Sequence, residues 1–380
     1  MTTGNGELAA VMTTDDLPAG FVTQRAKGYE PTSAPTPTPA TATTAATTAA
    51  PATGEVTASM ARLIRASVAD IQPRADEFAQ YFYGALFSLA PETMDLFPMV
   101  LRTQRGRFVR ALLHVVELVD RQREVTAFLA QLGRDHRKFG VLGKHYEPFG
   151  RALLDAVRRF AGDGWTADVE TAWTNAYEMI AGTMRKAAAD DESPAWWPAE
   201  VLTHQRIGPD LAIVTVRPDH PVPYLAGQYI AVETPQRRRL WRYLSPANAP
   251  RSDGVLEFAV RAVPGGWASR AIVGQTRPGD RWKLGAPLGR LIARPDDKRN
   301  LLMIAGGTGI SPMRAIIEGL AGDAAGSSGE SVGGSVAGDR RSVQLFYGGR
   351  TADDLYALPR LRELAQRHRW LSVVPVLEAD

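Results

Sequence analysis

The hydrophobic pattern of the chain changes its period near Pro194, so the sequence on either side must fold differently. Before this point, apolar residues recur at steps of three and four, which is typical of amphipathic helices packed on one core. The runs are ASMARLIRASVADI, RADEFAQYFYGALF, RGRFVRALLHVVELV, EVTAFLAQLGRDHRKF, YEPFGRALLDAVRRFA and DVETAWTNAYEMIAGTMRK. We therefore predict an all-α domain over residues 57–191.

After Pro194, short apolar runs alternate with Gly, Pro and Asp turns, which predicts a six-stranded β barrel over residues 197–297. Strand and helix patterns then alternate over residues 298–380, as in a parallel α/β nucleotide-binding domain. A Gly/Ser-rich stretch, AGDAAGSSGESVGGSVAGDRRS, is predicted to be a flexible surface insertion. Residues 1–56, rich in Pro, Thr and Ala, are predicted to be disordered.

The composition excludes several classes of function. The chain has no cysteine, which rules out disulfides, thiolate metal sites and thiol catalysis. Its 44 basic and 41 acidic residues are balanced and dispersed, so nucleic acid is not an expected partner. The sequence has neither a run of about 18 apolar residues nor a secretory signal near its start, so we expect a cytoplasmic protein without a membrane span.

One histidine occupies a position where a core residue is expected. His136 shares a helical stripe with Phe128 and Leu132. A buried imidazole needs a partner for each ring nitrogen, and an iron macrocycle on one side with a carbonyl or carboxylate on the other would supply both. The alternative is a partly exposed histidine between Asp135 and Arg137 on a solvated helix face.

Two other histidines are rival ligands in the same region. His145 follows Gly143 in a connection between helices, where we expect it to face water. His114, within ALLHVVELV, is expected to be a packed core imidazole. The sequence therefore favours His136 as the metal ligand.

The segment LLMIAGGTGISPM reads as a buried strand, a glycine turn and the start of a helix. Glycines let the backbone close on a phosphate, and the helix N-terminus with its hydroxyls adds donors. The residues that would hold the pyrophosphate are Gly306, Gly307, Thr308, Gly309, Ile310, Ser311 and Pro312. A tight turn without a ligand is the alternative.

Two segments of the predicted barrel carry anion-binding groups. In WRYLSPAN, Arg242 would bind a phosphate, while Tyr243 and Ser245 would form hydrogen bonds. In PGGWAS, a short helix is predicted to begin after a glycine pair and to form a second anion site. Its residues are Gly265, Gly266 and Ser269.

These motifs resemble the ferredoxin-reductase family over residues 197–380, which implies an FAD-binding barrel and an NAD(P)H-binding α/β domain. The family's flavin motif is Arg, any residue, Tyr, then Ser or Thr, and here Leu244 stands at the tyrosine position. Tyr243 and Tyr229 are the candidates to pack on the flavin instead. The family also has a later Cys-Gly-Pro turn near the nicotinamide, so we expect the NAD(P)-binding domain to be incomplete.

The helical part resembles the globin half of flavohaemoglobins from Ser59 to Met184. On this resemblance His136 is the proximal haem ligand, and the other matched positions are distal Tyr83 and Gln104, Phe97 against the porphyrin, and Tyr146 on the proximal side. The family's proximal glutamate falls on Ala188, with Asp190 and Asp191 nearby as substitutes.

The resemblance implies electron transfer from NAD(P)H through FAD to haem b, with dioxygen and nitric oxide as substrates and nitrate as the product. The residues alone indicate only flavin-to-haem electron transfer. Two alternatives remain open: a haem-flavin reductase that acts on other electron donors or peroxides, and a non-catalytic gas-binding sensor.

Overall fold

The computed structural model describes residues 56–293, 299–322 and 341–378. Of residues 1–56, which were predicted to be disordered, all but the last lie outside these ranges, as does most of the predicted Gly/Ser-rich insertion. None of the helices within them combines the length and apolar character that crossing a membrane requires.

Six helices form the N-terminal part, as predicted. They are α1 (Ala58–Ile71), α2 (Ala75–Leu89), α3 (Arg102–Leu118), α4 (Gln122–His136), α5 (Tyr146–Ala161) and α6 (Ala167–Ala189). Two begin at threonine caps: the Thr57 hydroxyl accepts from the Met60 amide, and the Thr166 hydroxyl from the Val169 amide, each at 3.3 Å. Their apolar faces bury one core that includes Trp173.

Helix α4 packs closely against α6 near its C-terminal end. A Cβ atom on Gly133 would lie 2.3 Å from the Met184 carbonyl oxygen, so only glycine permits this approach. The sequence pattern predicted that the helix continues to Phe139, but α4 ends at His136. A 3-10 turn follows, and Gly140 closes it with a left-handed φ of 82°.

The next part is a six-stranded antiparallel sheet. Its strands are β1 (Trp197–Arg206), β2 (Leu211–Pro218), β3 (Tyr229–Glu233), β4 (Arg242–Leu244), β5 (Leu256–Arg261) and β6 (Arg281–Leu288), in the order β4-β3-β6-β1-β2-β5, with α7 (Trp267–Gln275) between β5 and β6. A bridge between Pro246 and Phe258 links the segment after β4 to β5, so the two edges meet. The predicted barrel is confirmed.

The C-terminal part is a parallel α/β unit. Its elements are β7 (Leu301–Gly306), α8 (Ile310–Ala321), β8 (Val343–Gly349), α9 (Leu358–Arg367) and β9 (Leu371–Leu377), with strand order β7-β8-β9. A single helix was predicted from Thr351 to His368, but its first part is wrong: Thr351 and Asp354 cap a separate 3-10 turn, and α9 begins after it. The three-part fold class is confirmed.

Candidate active site

His136, the last residue of α4, has one ring nitrogen committed to the protein. Its Nδ1 lies 2.7 Å from the Leu132 carbonyl oxygen. Because a carbonyl oxygen only accepts, Nδ1 carries the proton and Nε2 presents its lone pair. Burial lowers the pKa of His136 and keeps the ring neutral, although the Asp135 charge opposes this effect. The imidazole is therefore prepared to bind iron through Nε2.

The acidic residues expected to replace the family's proximal glutamate form ion pairs with other side chains. Asp191 forms an ion pair with Arg137 at 2.8 Å, and Asp190 pairs with Lys186 at 2.7 Å. The suggestion that they support the His136 ring is therefore wrong, since the neutral Leu132 carbonyl takes its proton. Ala188 contributes no carboxylate.

The structure brings Tyr83 and Gln104 together from α2 and α3. Tyr83 is 3% exposed, and its hydroxyl is hydrogen-bonded to the Gln104 side chain. Burial raises the pKa of the phenol well above its usual range, and the hydrogen bond only partly offsets this. Tyr83 therefore stays protonated and able to donate.

Phe97 belongs to the same group, because its ring meets the Tyr83 ring edge-on at 5.3 Å. Tyr146 lies elsewhere, at the start of α5, where its carbonyl accepts from the Tyr177 hydroxyl. Burial raises the pKa of Tyr146. Within the described part of the chain, no hydrogen bond or ring contact joins Tyr146 to His136. A neutral imidazole together with this distal group fits a haem.

The rival histidines have other partners. His145 was expected to face water, but it is 9% exposed, and its Nδ1 accepts from the Leu142 amide at 3.0 Å. The His145 side chain caps the short turn that contains it, so the expectation that it faces water is wrong. His114 packs edge-on against Phe128 with ring centroids 4.9 Å apart. Because the Nδ1 of His145 accepts, its proton lies on Nε2, the opposite tautomer to that of His136.

The strands β3 and β4 arrange the predicted flavin residues. Leu244 is paired with the buried Ile230 and packs against the barrel core. Tyr243 lies on the other face, and its ring meets the Tyr229 ring edge-on at 5.0 Å. The leucine thus fills the barrel, while two tyrosines share a surface next to Arg242. Ser245, half-buried, follows directly after β4.

The PGGWAS turn is built as the sequence predicts, but its serine is used locally. Gly265 has a φ of 74°, and a Cβ on Gly266 would lie 2.6 Å from the Ser269 hydroxyl oxygen. That hydroxyl accepts from the Val263 amide at 3.3 Å. Ser269 therefore stabilises the turn itself, and an anion would be bound by the first backbone amides of α7.

The glycine turn between β7 and α8 has the expected form. Gly307 adopts a φ of 52°, and Gly306 and Gly309 are exposed. Thr308 and Pro312 are half-buried on the same turn. Ile310 and Ser311 are 1% and 2% exposed, so their side chains lie inside the fold and do not face an approaching phosphate.

Sequence reasoning missed the residues that join the helical part to the barrel. Lys138 is buried against Trp241 and Tyr243, and Arg239 pairs with Asp95 at 2.9 Å. The one available signal was the spacing of Asp135 and Lys138, which suits an ion pair across one helical turn. Charge spacing does not reveal a partner from a distant strand.

Three family models match the chain in order. They are Globin over residues 80–184, the oxidoreductase FAD-binding domain over residues 198–292 and the oxidoreductase NAD-binding domain over residues 303–380. Each match falls on one of the three structural parts.

Several known proteins are similar to this chain. The flavohemoprotein of Bacillus subtilis (strain 168) is 23% identical over 271 residues, covering 67% of this chain and 68% of that protein. The phenol hydroxylase P5 protein of Acinetobacter pittii is 30% identical over 181 residues, 48% of this chain and 47% of that protein. The crystal structure of the Malassezia yamatoensis flavohemoglobin, with bound FAD and heme, aligns with a TM-score of 0.66 at 18% identity, covering 86% and 85% of the two chains.

The domain assignments identify haem, FAD and NAD(P)H as the cofactors, and the protein is an NAD(P)H-dependent oxidoreductase. Over 86% of this chain the fold matches that of the Malassezia yamatoensis flavohemoglobin. This chain therefore combines a globin domain with the FAD-binding and NAD-binding domains of oxidoreductases, in the order matched by its flavohemoprotein relatives.

Proposed function

We propose that the protein oxidises nitric oxide with dioxygen to nitrate, using electrons that pass from NAD(P)H through FAD to haem. Two molecules of nitric oxide, two of dioxygen and one NAD(P)H give two nitrates, NAD(P)⁺ and one proton. The proposal includes a cytoplasmic location, where NAD(P)H is supplied, and a role in defence against nitrosative stress.

The hydrogen-bonded pair of Tyr83 and Gln104 carries this proposal. A buried phenol that stays protonated donates to a ligand on which negative charge develops, and such a donor stabilises that charge. Gln104 holds the hydroxyl in one orientation. A protein that only transferred electrons to haem would not need this polar pair among Phe97 and other aromatic side chains.

His136 would hold the iron through Nε2, and its bond to the Leu132 carbonyl orients the ring. When bound, haem supplies the iron at which dioxygen is reduced, and FAD converts hydride into single electrons. Arg242 and the amides that begin α7 and α8 provide the phosphate-binding positions for the two nucleotides. The protein thus positions the cofactors, and it supplies a neutral imidazole for the iron and a hydrogen-bond donor for the bound gas.

The test is purification of the full chain and of His136→Ala after expression with haem and flavin available. We expect His136→Ala to lose the Soret absorption and all nitric-oxide-dependent NAD(P)H oxidation while keeping its flavin spectrum. His114→Ala, a histidine of the same part, should retain both. Equal haem content in His136→Ala would refute the ligand assignment, and wild-type protein that forms no nitrate would refute the proposed reaction.

The neutral partner of His136 favours a second candidate, reversible gas binding, over peroxide reduction. A carboxylate partner would make the imidazole a stronger electron donor, which assists cleavage of an oxygen–oxygen bond, but here a carbonyl accepts the proton. A gas sensor would bind dioxygen stably without consuming NAD(P)H. Steady NAD(P)H consumption that depends on nitric oxide would exclude this candidate.

A further inference from the structure

A buried lysine lies in the turn that follows the haem ligand. The Lys138 side chain is 3% exposed and forms an ion pair with Asp135, which is 16% exposed. Removing an ammonium group from water is costly even when it is paired, and apolar residues of similar size commonly fill such positions at lower cost. The burial of this charge calls for a physical reason.

The surroundings of the ammonium group come from both parts of the molecule. Its nitrogen lies 4.9 Å from the centroid of the Phe139 ring, 5.8 Å from that of Trp241 and 5.3 Å from that of Tyr243. Trp241 lies directly before β4 and Tyr243 lies on it, so the two flank Arg242 of the flavin motif. The cation therefore lies between the segment that binds haem and the strand that binds flavin, held by three aromatic faces.

The neighbouring elements hold the lysine stem in place. A Cβ atom on Gly285 of β6 would lie 3.3 Å from Lys138 Cδ, so the glycine leaves just enough room for the stem to pass. The Phe139 ring also meets the Trp241 ring at 6.2 Å and the His136 ring at 5.8 Å. The charge is consequently fixed in position.

We infer that Lys138 supplies a fixed positive charge that favours the reduced form of the bound flavin and so sets the electron supply to the haem. Hydride from NAD(P)H brings two electrons to a neutral oxidised flavin, which becomes an anion as NAD(P)⁺ leaves. A cation held nearby stabilises that anion and has little effect on the neutral form. The inference rests on the flavin step of the proposed function but not on nitric oxide.

The experiment uses the full chain loaded with FAD and compares Lys138→Met, which keeps the length of the side chain, with Lys138→Arg, which keeps the charge. The equilibrium ratio of reduced to oxidised flavin is read from absorbance against a redox dye at one fixed potential. We expect a fall of about tenfold in Lys138→Met, the order expected for losing one charge from a partly buried site. The ratio in Lys138→Arg should stay within about twofold of wild type.

Lys186→Met removes a lysine that is 77% exposed and paired with Asp190, and it should leave the ratio unchanged. Affinity for oxidised FAD should be the same in Lys138→Met and wild type, since the oxidised ring is neutral. Lys138→Gln replaces the methionine variant if that protein does not fold. An unchanged ratio in the neutral variant, or equal shifts in the arginine and neutral variants, would overturn the inference. None of these measurements involves nitric oxide, so their outcome is independent of whether nitrate is formed.

Discussion

Tyr83→Phe isolates the distal hydroxyl, because the change removes one oxygen atom and leaves the ring contact with Phe97 in place. Tyr83 is 3% exposed, so solvent has little access to the position of the lost donor. A hydrogen bond to a charged acceptor contributes about 1.5–3 kcal/mol. We therefore expect dioxygen to dissociate about 10–100-fold faster from the ferrous protein, as measured by stopped-flow replacement with carbon monoxide.

Tyr81→Phe is the matched control, because this tyrosine lies on the same helix and its hydroxyl bonds to Asp155 at 2.7 Å outside the pocket. Its dioxygen off-rate should equal that of wild type. The wild-type rate should also be flat from pH 6 to about 9, because the raised pKa of Tyr83 keeps the phenol protonated throughout. An unchanged rate in Tyr83→Phe, or the same increase in both variants, would refute the assigned role.

Two further predictions concern the helical part, and both are read from its unfolding. Gly133→Ala should lower the free energy of unfolding, measured by urea titration, by about 1–3 kcal/mol, because the new methyl group meets the Met184 carbonyl. Gly84→Ala in α2 has open space around it and should raise the same free energy by about 0.5–1 kcal/mol. The Arg65 guanidinium lowers the pKa of Asp120 from its usual 3.8, so the pair stabilises the fold above that pH, and its contribution is lost as pH falls through the lowered value. The difference in Tm between wild type and Asp120→Asn should be constant above about pH 5 and vanish in acid; a constant difference down to the lowest pH would contradict this.

The order and type of the elements could be predicted from local pattern. The apolar spacing that defines α1 and α5 matches their observed ends, because an amphipathic face is a property of consecutive residues. Ends that depend on packing were predicted less well. The helix expected to reach Phe139 stops at His136, where the chain turns towards the barrel. Helix α9 begins later than predicted because Thr351 and Asp354 cap a separate 3-10 turn before it.

His136 could be proposed as the haem ligand from the sequence, since it stands on an apolar stripe, but its tautomer could not be predicted. Only the folded chain shows that the Leu132 carbonyl takes the Nδ1 proton and that Asp191 is held by Arg137. The same holds for Leu244, whose direction into the barrel depends on its pairing with β3.

The sequence by itself determined the three kinds of domain, their order and the residue types that chemistry requires, because periodicity and composition act between near neighbours along the chain. The tertiary structure alone decided which groups share a proton or a charge. The pairing of Tyr83 with Gln104 and the burial of Lys138 against Trp241 join residues from separate elements. Such contacts follow from how whole elements pack, and no local pattern of residues encodes that geometry.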